Sequence, residues 1–472
     1  MNRAACALIF ALAGVASVAS AQQRTAHDRR QYLDPQTQVS DDPRRVPVKA
    51  GPRGPEGALV LRGGRIFDAT GAPAREGTLV IERNKIVGIL SPRSTDWPKD
   101  ARVIDVTGKT VLPGLIDLHT HLSYPEEDDF TTAISNSAST LSALEKMRYF
   151  IESGITSVRD VGSAYDIPFR LKEAVAKNRV PGPRIFAAGQ FITGEGGHGT
   201  EGTADVMIRM QGDIRIASGP DDWRQAVREQ FHMGADLIKV GSHFTAEEVQ
   251  AAVSEAHDLG LKVAVDAETF YIERAVEAGA DTIEHPLPRS DKTIQLMAKK
   301  GIAADPTLVP YIIILDEVGG YFGSTSRRFT FSKEADLEML RRLRRAGVKC
   351  GVGTDLIENW YRYLPTAYIR ELEQFVAAGW SVPEALIAAT RTNAQILDMD
   401  DRLGTLEQGK LADVLVVAGA PDVDLKDLEM VDMVIRDGNV VVDGGQIMIR
   451  RHVPVDWKAD GPSDPVPAFR ER

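Results

Sequence analysis

Short apolar runs broken by turns fill residues 58–112, in the segments ALVLRGGRIFD, GTLVIERNKIVGIL and ARVIDVTG. Branched apolar residues bounded by Gly, Asn and Asp predict antiparallel strands of a small sheet. From residue 113 the rhythm changes, and strand-length apolar runs alternate with amphipathic helical stretches as far as residue 400. The strands read as GLIDLHTH, ITSVRDVG, PRIFAAG, ADLIKVG, LKVAVDA, DTIEHP, IAADPTL and KCGVGTD. Gly154, Gly234, Gly260, Gly279, Gly301 and Gly347 each follow a helical stretch, where a left-handed cap is wanted. Thr245 and Glu248 have the spacing of a capping box, ahead of a face made by Val249, Ala252, Val253 and Ala256. Trp223, Val227 and Phe231 mark the equivalent face of the preceding helix. Eight β/α units in succession predict an α/β fold, a (β/α)8 TIM-type barrel rather than an open sheet.

After Asp400 the strand pattern returns in ADVLVVAG, MVDMVIRDG and NVVVDGGQIMI, within residues 401–455. Paired with the strands of 58–112, these make a composite β-sandwich into which the barrel is inserted. The two ends carry no such pattern. Residues 1–21 combine Arg3, an apolar run over 4–18 and Ala19-Ser20-Ala21, the three parts of a cleavable export signal. The run is too short to span a bilayer comfortably, so the mature chain is expected to be exported, periplasmic or secreted, without a membrane anchor. Residues 22–57 are polar and rich in Pro and Arg, which predicts a flexible lead, and 456–472 form a polar tail. Cys6 leaves with the signal, so Cys350 stands alone in the mature chain and forms no internal disulfide.

At 472 residues, with 43% hydrophobic and 26% charged content, the chain can bury a large core. Its net charge of −11 argues against nucleic acid or anionic membrane as a partner. A homo-oligomer is left open.

The candidate chemistry lies at the ends of the apolar runs. His119 and His121, spaced i, i+2, aim at one face of a strand, and two neutral imidazoles side by side form half of a transition-metal site. Barrel enzymes build their sites at the C-terminal strand ends. The polar residues there are His119, His121, Lys239, Asp266, His285 and Asp355. Burial of Lys239 favours the neutral amine, which can take up carbon dioxide and become a carbamate able to bridge two ions. The structural alternatives are a lysine that snorkels to the rim, a hydrogen-bonded core histidine at 285 and a helix N-cap at 355.

LPGLIDLHTH, GITSVRDVG, GPRIFAAG with TGEGGHG, GADLIKV, EAHDLGLKV, AGADTIEHP, GVGTD and AATRTNAQILDMDDRLGTLEQGKLADVLVV together resemble the amidohydrolase superfamily. The likeness runs from Ala58 to about Arg450 and is strongest to the branch of Xaa-Pro and Xaa-Arg dipeptidases and imidazolonepropionase-like hydrolases. It implies a metal-bearing barrel beside a composite sandwich. Metal roles then fall on His119, His121, Lys239 as the carbamate, His285 and Asp355, holding two divalent ions, zinc or manganese. The implied reaction cleaves an amide-type C–N bond of a small molecule or dipeptide. A hydroxide held between the ions attacks, and Asp355 passes its proton to the leaving amine. His198, in Gly-Gly-His-Gly, matches a loop histidine used near the scissile group. His243, in the short loop after Lys239, is a second substrate-binding candidate, and Arg159 and Arg289 are basic residues able to meet a substrate carboxylate.

One departure stands out. The fifth strand of the family usually reads Val-Ala-Ala-His-Ala-His, its first histidine a ligand, whereas this chain has Asp266 and Glu268 at the two histidine positions. Two divalent ions supply four positive charges, and a carbamate, Asp355 and a hydroxide remove three. Asp266 and Glu268 share a strand face, so either can reach a metal, and Asp266 is the expected ligand; ionised, the two take the sum to one negative charge, which favours harder ions such as manganese over zinc and makes a bound water less acidic. The alternative is a secreted single-metal or non-catalytic binding protein. A mononuclear deaminase is opposed by Lys239. His257, beside the apolar face of its helix, reads as packing.

Overall fold

The computed structural model describes residues 54–124, 135–200, 212–317, 319–320 and 332–449. The export signal, all but the end of the flexible lead and the polar tail lie outside the described residues. Five strands come first: β1 (Ala58–Ile66), β2 (Arg75–Glu82), β3 (Lys85–Leu90), β4 (Arg102–Asp105) and β5 (Lys109–Pro113). β1, β2 and β3 are antiparallel as expected, but β4 and β5 both run parallel to β1. The expectation of antiparallel pairing throughout is corrected here. β4 lies along Leu59–Arg62 and β5 along Arg65–Ile66, so two short strands share one edge of β1. They divide where its register breaks between Leu61 and Gly64, next to Gly63 at φ +75°.

The central part is a TIM-barrel-like α/β arrangement of parallel strands and helices. β6 (Leu115–Thr120), β7 (Ile155–Asp160) and β8 (Arg184–Ala187) form one parallel sheet. A second contains β9 (Phe191–Thr193), β10 (Ile214–Ile216), β11 (Leu237–Gly241), β12 (Lys262–Asp266), β13 (Thr282–Glu284) and β14 (Ala303–Asp305), in the order β10-β9-β11-β12-β13-β14. Seven of the eight expected barrel strands are thus present as strands. The eighth, KCGVGTD, is an extended run hydrogen-bonded on both sides. Gly351 N–H donates to Ala304 O (2.8 Å), Leu118 N–H to Val352 O (3.0 Å) and Asp355 N–H to His119 O (2.8 Å). At the other seam Asp236 N–H donates to Ala187 O (2.8 Å). β9 and β10 are additional strands of three residues each, too short to register in the hydrophobic pattern.

After this central part, β15 (Val414–Ala418), β16 (Val431–Arg436), β17 (Asn439–Asp443) and β18 (Gln446–Ile447) return to the first sheet. β15 pairs antiparallel with β5, giving one nine-stranded sheet built from both ends of the chain. Its inner face packs Leu61, Ile66, Leu79, Ile81, Val111, Val414, Val416 and Ile435 together.

The helices follow their sequence signals. All six expected capping glycines lie at positive φ, and Thr245 and Glu248 close a capping box on the helix Ala246–Asp258. That helix and its predecessor, Pro220–Met233, bury Val249, Ala252, Trp223 and Val227 in a core shared with Ile238, Val240, Val263 and Val265 of the strands. Among the described residues no helix is long and apolar enough to cross a membrane.

Candidate metal centre

The C-terminal ends of the parallel strands converge on His119, His121, Lys239, Asp266 and His285, with Asp355 from the eighth run. His119 Nε2 lies 3.2 Å from Lys239 Nζ and 3.6 Å from Asp355 Oδ1. His121 Nε2 is 3.3 Å from the same Asp355 oxygen, and His285 Nδ1 is 3.9 Å from Asp355 Oδ2. His119 and Lys239 are 1% and 2% exposed, so the pair is shut off from bulk water. Nitrogen and oxygen ligands about 2.0–2.2 Å from one tetrahedral ion stand roughly 3.3–3.6 Å apart. His119 and His121 stand at that distance from Asp355 Oδ1, 3.6 and 3.3 Å, and ligand atoms of His119, His285 and Asp355 all fall within 4.8 Å of one another. Imidazoles and carboxylates of this kind suit zinc or manganese. The donor set fits a divalent metal.

A layer of polar groups beneath holds these side chains. His119 Nδ1 meets Glu284 Oε2 at 2.9 Å, which directs Nε2 towards the centre. Arg159 donates to Glu284 Oε2 (2.6 Å), Asp305 Oδ2 (3.2 Å), Thr282 Oγ1 and the Leu118 carbonyl. Ligand-type atoms of His119, Glu284 and Asp305 also cluster, but the guanidinium supplies the positive charge there. Burial holds the His119 imidazole well below its usual pKa, in the neutral form a ligand needs. Asp117 Oδ1 accepts from the backbone N–H of both His119 and Thr354, each at 3.0 Å, and Oδ2 accepts from Thr354 Oγ1 at 2.6 Å. This ties the first strand to the residue before Asp355. His121 Nδ1 faces the Gly162 carbonyl at 2.9 Å, and its ring stacks on Tyr124.

Three non-glycine residues at the centre have left-handed backbones: His285 (φ +63°), Thr307 (φ +42°) and Asp355 (φ +46°). Such conformations cost on the order of 1–3 kcal/mol each and persist only where surroundings impose them. Here Thr307 Oγ1 contacts His285 Nδ1 at 2.7 Å, and Asp355 N–H is fixed by His119 O.

The remaining candidates divide. Asp266 Oδ2 lies 3.1 Å from His285 Nε2 and 3.2 Å from His198 Nε2, so His198 does reach the centre through its loop. Glu268 stands at the start of the helix Thr269–Ala278, beyond the end of β12. His243 is exposed and stacks on Tyr271, on the rim rather than among the converging ligands. Arg159 and Arg289 are both buried, 2% and 3% exposed. Arg159 is taken up by the carboxylates beneath the candidate ligands, and Arg289 by the carbonyls of Leu287 and His285. The idea that either meets a substrate carboxylate is corrected by that burial. His257 pairs with Asp281 at 2.9 Å, a polar contact where apolar packing was expected.

Sequence reasoning passed over Glu284, Arg159 as a supporting group, Asp117, Asp305 and Thr307. Some signal was there. Glu284 immediately precedes His285, and Asp117 interrupts an apolar run two residues before His119, both charged where a strand would ordinarily stay apolar.

The model of the amidohydrolase family matches residues 110–441. Among curated relatives, ochratoxinase of Aspergillus niger is 26% identical over 405 residues, covering 78% of this chain and 82% of the relative. Imidazolonepropionase of Geobacillus thermodenitrificans is 27% identical over 419 residues, covering 79% and 92%. A solved prolidase in complex with N-methylphosphonate-L-proline superposes with TM-score 0.74 at 29% identity, covering 82% of this chain and all of that one.

Proposed function

The chain belongs to the amidohydrolase family, it is a hydrolase of C–N bonds, and from that premise we propose that it is a metal-dependent enzyme cleaving the amide of a small molecule or dipeptide. The observation that carries the reading is the convergence of His119, His121, His285 and Asp355 at ligand spacing around the buried Lys239. The prolidase relation favours dipeptides, and the ochratoxinase relation keeps other small amides in view. We read the two parallel sheets and the eighth run as one (β/α)8 barrel with its site at the C-terminal face.

His119, His121, His285 and Asp355, with Lys239 as a carboxylated ligand, would hold the two divalent ions. Divalent ions bound there polarise a carbonyl and lower the pKa of water. The protein's own share is positional. Glu284 and Arg159 keep His119 aimed, Asp117 keeps the His119 and Asp355 strands in register, and Thr307 orients His285. Asp355 is the proton carrier: its carboxylate is 19% exposed, the most open of the ligand candidates named above, and it would pass the proton to the leaving amine. His198 faces the scissile group from the loop.

The test is metal analysis of the purified protein coupled to a screen of dipeptides and N-acyl amino acids. Two ions per chain with turnover of an amide support the reading. Metal-free protein without turnover points instead to a binding protein. Export belongs to the same proposal, and N-terminal sequencing of the mature protein, expected to begin at Gln22, tests it.

A further inference from the structure

Asp266 stands where the fifth strand of a dipeptidase-like relative carries a histidine ligand, and an aspartate reaches less far from the strand than a histidine. Its Oδ2 is shared by two imidazoles, His285 Nε2 at 3.1 Å and His198 Nε2 at 3.2 Å. Ligand atoms of His119, His285 and Asp355 gather within 4.8 Å, and among the described residues Asp266 joins no such group of three. The carboxylate therefore sits between the metal ligands and the glycine-rich loop.

That loop is built to bring His198 to it. His198 N–H donates to Ser242 O (2.8 Å), and Ser242 N–H donates to Asp266 O (3.0 Å), so the main chain links loop, rim and strand in a row. Gly194 and Gly197 lie so close to Ser242 and His243 that a Cβ at Gly197 would come within 1.6 Å of Ser242 O. The backbone fixes where His198 stands. Its ring, with the side chain 28% exposed, is aimed by the Asp266 carboxylate and by stacking on Phe191.

We propose that Asp266 is a positioning residue that orients His198 towards the substrate, and that it does not coordinate the metal. In this chain the strand-five ligand has been exchanged for an Asp266–His198 pair. The proposal rests on the hydrolase reading for His198's contact with substrate, but Asp266's part in metal binding is read separately.

The experiment compares Asp266→Asn, His198→Gln and the double variant. Metal per chain is measured by mass spectrometry after dialysis, and the visible spectrum is recorded on protein loaded with Co²⁺. Both singles are expected to keep wild-type metal content and an unchanged Co²⁺ spectrum. On any amide that the wild type cleaves, each single should lose about 100-fold in kcat with little change in KM, since a misaimed group costs that much. The double should be no worse than the weaker single. Loss of an ion or a shifted spectrum in Asp266→Asn overturns the proposal, as do additive kinetic losses. If Asp266→Asn does not fold, Asp266→Ser is read in the same way. Absence of any amide substrate would defeat the hydrolase reading while leaving the metal and spectral results decisive for Asp266.

Discussion

His119 Nδ1 and Glu284 Oε2 meet at 2.9 Å with both side chains closed to solvent, 1% and 0% exposed. The contact turns the other ring nitrogen towards Lys239 and Asp355. Glu284→Gln keeps the shape but weakens the acceptor, so metal affinity should fall about 10–100-fold. Competition against a chelator measures it. Arg159→Met goes further, because it strands two buried carboxylates, and should cost about 3–5 kcal/mol of stability in a denaturant melt.

Asp355→Asn preserves the size of the side chain and removes its ability to carry a proton. Turnover should be abolished while the metal stays largely bound, because His119, His121 and His285 remain. Metal analysis beside a kinetic assay decides the point, and full activity in this variant would rule out the proton-carrier role.

Lys239 is the buried amine nearest to His119. Lys239→Met should lose metal and at least about 100-fold in activity, since a missing ligand costs at least as much as a disturbed supporting group. Unchanged metal content would reduce Lys239 to a packing residue.

Much of this was legible in the chain, for a physical reason. Strand ends announce themselves when a polar residue follows an apolar run: His119, His121, Asp266 and His285 lie at or just past the observed strand ends and Asp355 on the eighth run, while Lys239 sits in the middle of β11. Helix ends show themselves through glycine, whose left-handed conformation is a local property. The parallel course of β4 and β5 was hidden, because strand direction depends on where a connection returns. Arg159 was misread for a related reason. A basic residue on a strand looks available until the carboxylates of Glu284 and Asp305, more than 120 positions away, are seen to surround it.

A pH effect should arise away from the metal. Burial raises the Asp336 carboxyl to about 7 from its ordinary value of 3.8. The folded protein then binds a proton more tightly than the unfolded chain, so this group's contribution is fully present below the unfolded pKa and lost as pH rises through 7. Asp336→Asn should melt with a flatter dependence between pH 4 and 8, with a gain on the order of 1 kcal/mol over wild type at the upper end. Thermal melts across that range provide the check.

The pairing of β5 with β15 has a consequence for how the protein is made. Thr110 Oγ1 donates to Gly419 O, a contact spanning 309 positions. Contacts so distant in sequence close late. While synthesis proceeds from the N-terminus, β1 to β5 wait with an unpaired edge until the last tenth or so of the chain emerges. The parallel strands of the central part have by then all been made, so the closing event joins β5 to β15 around a core already present.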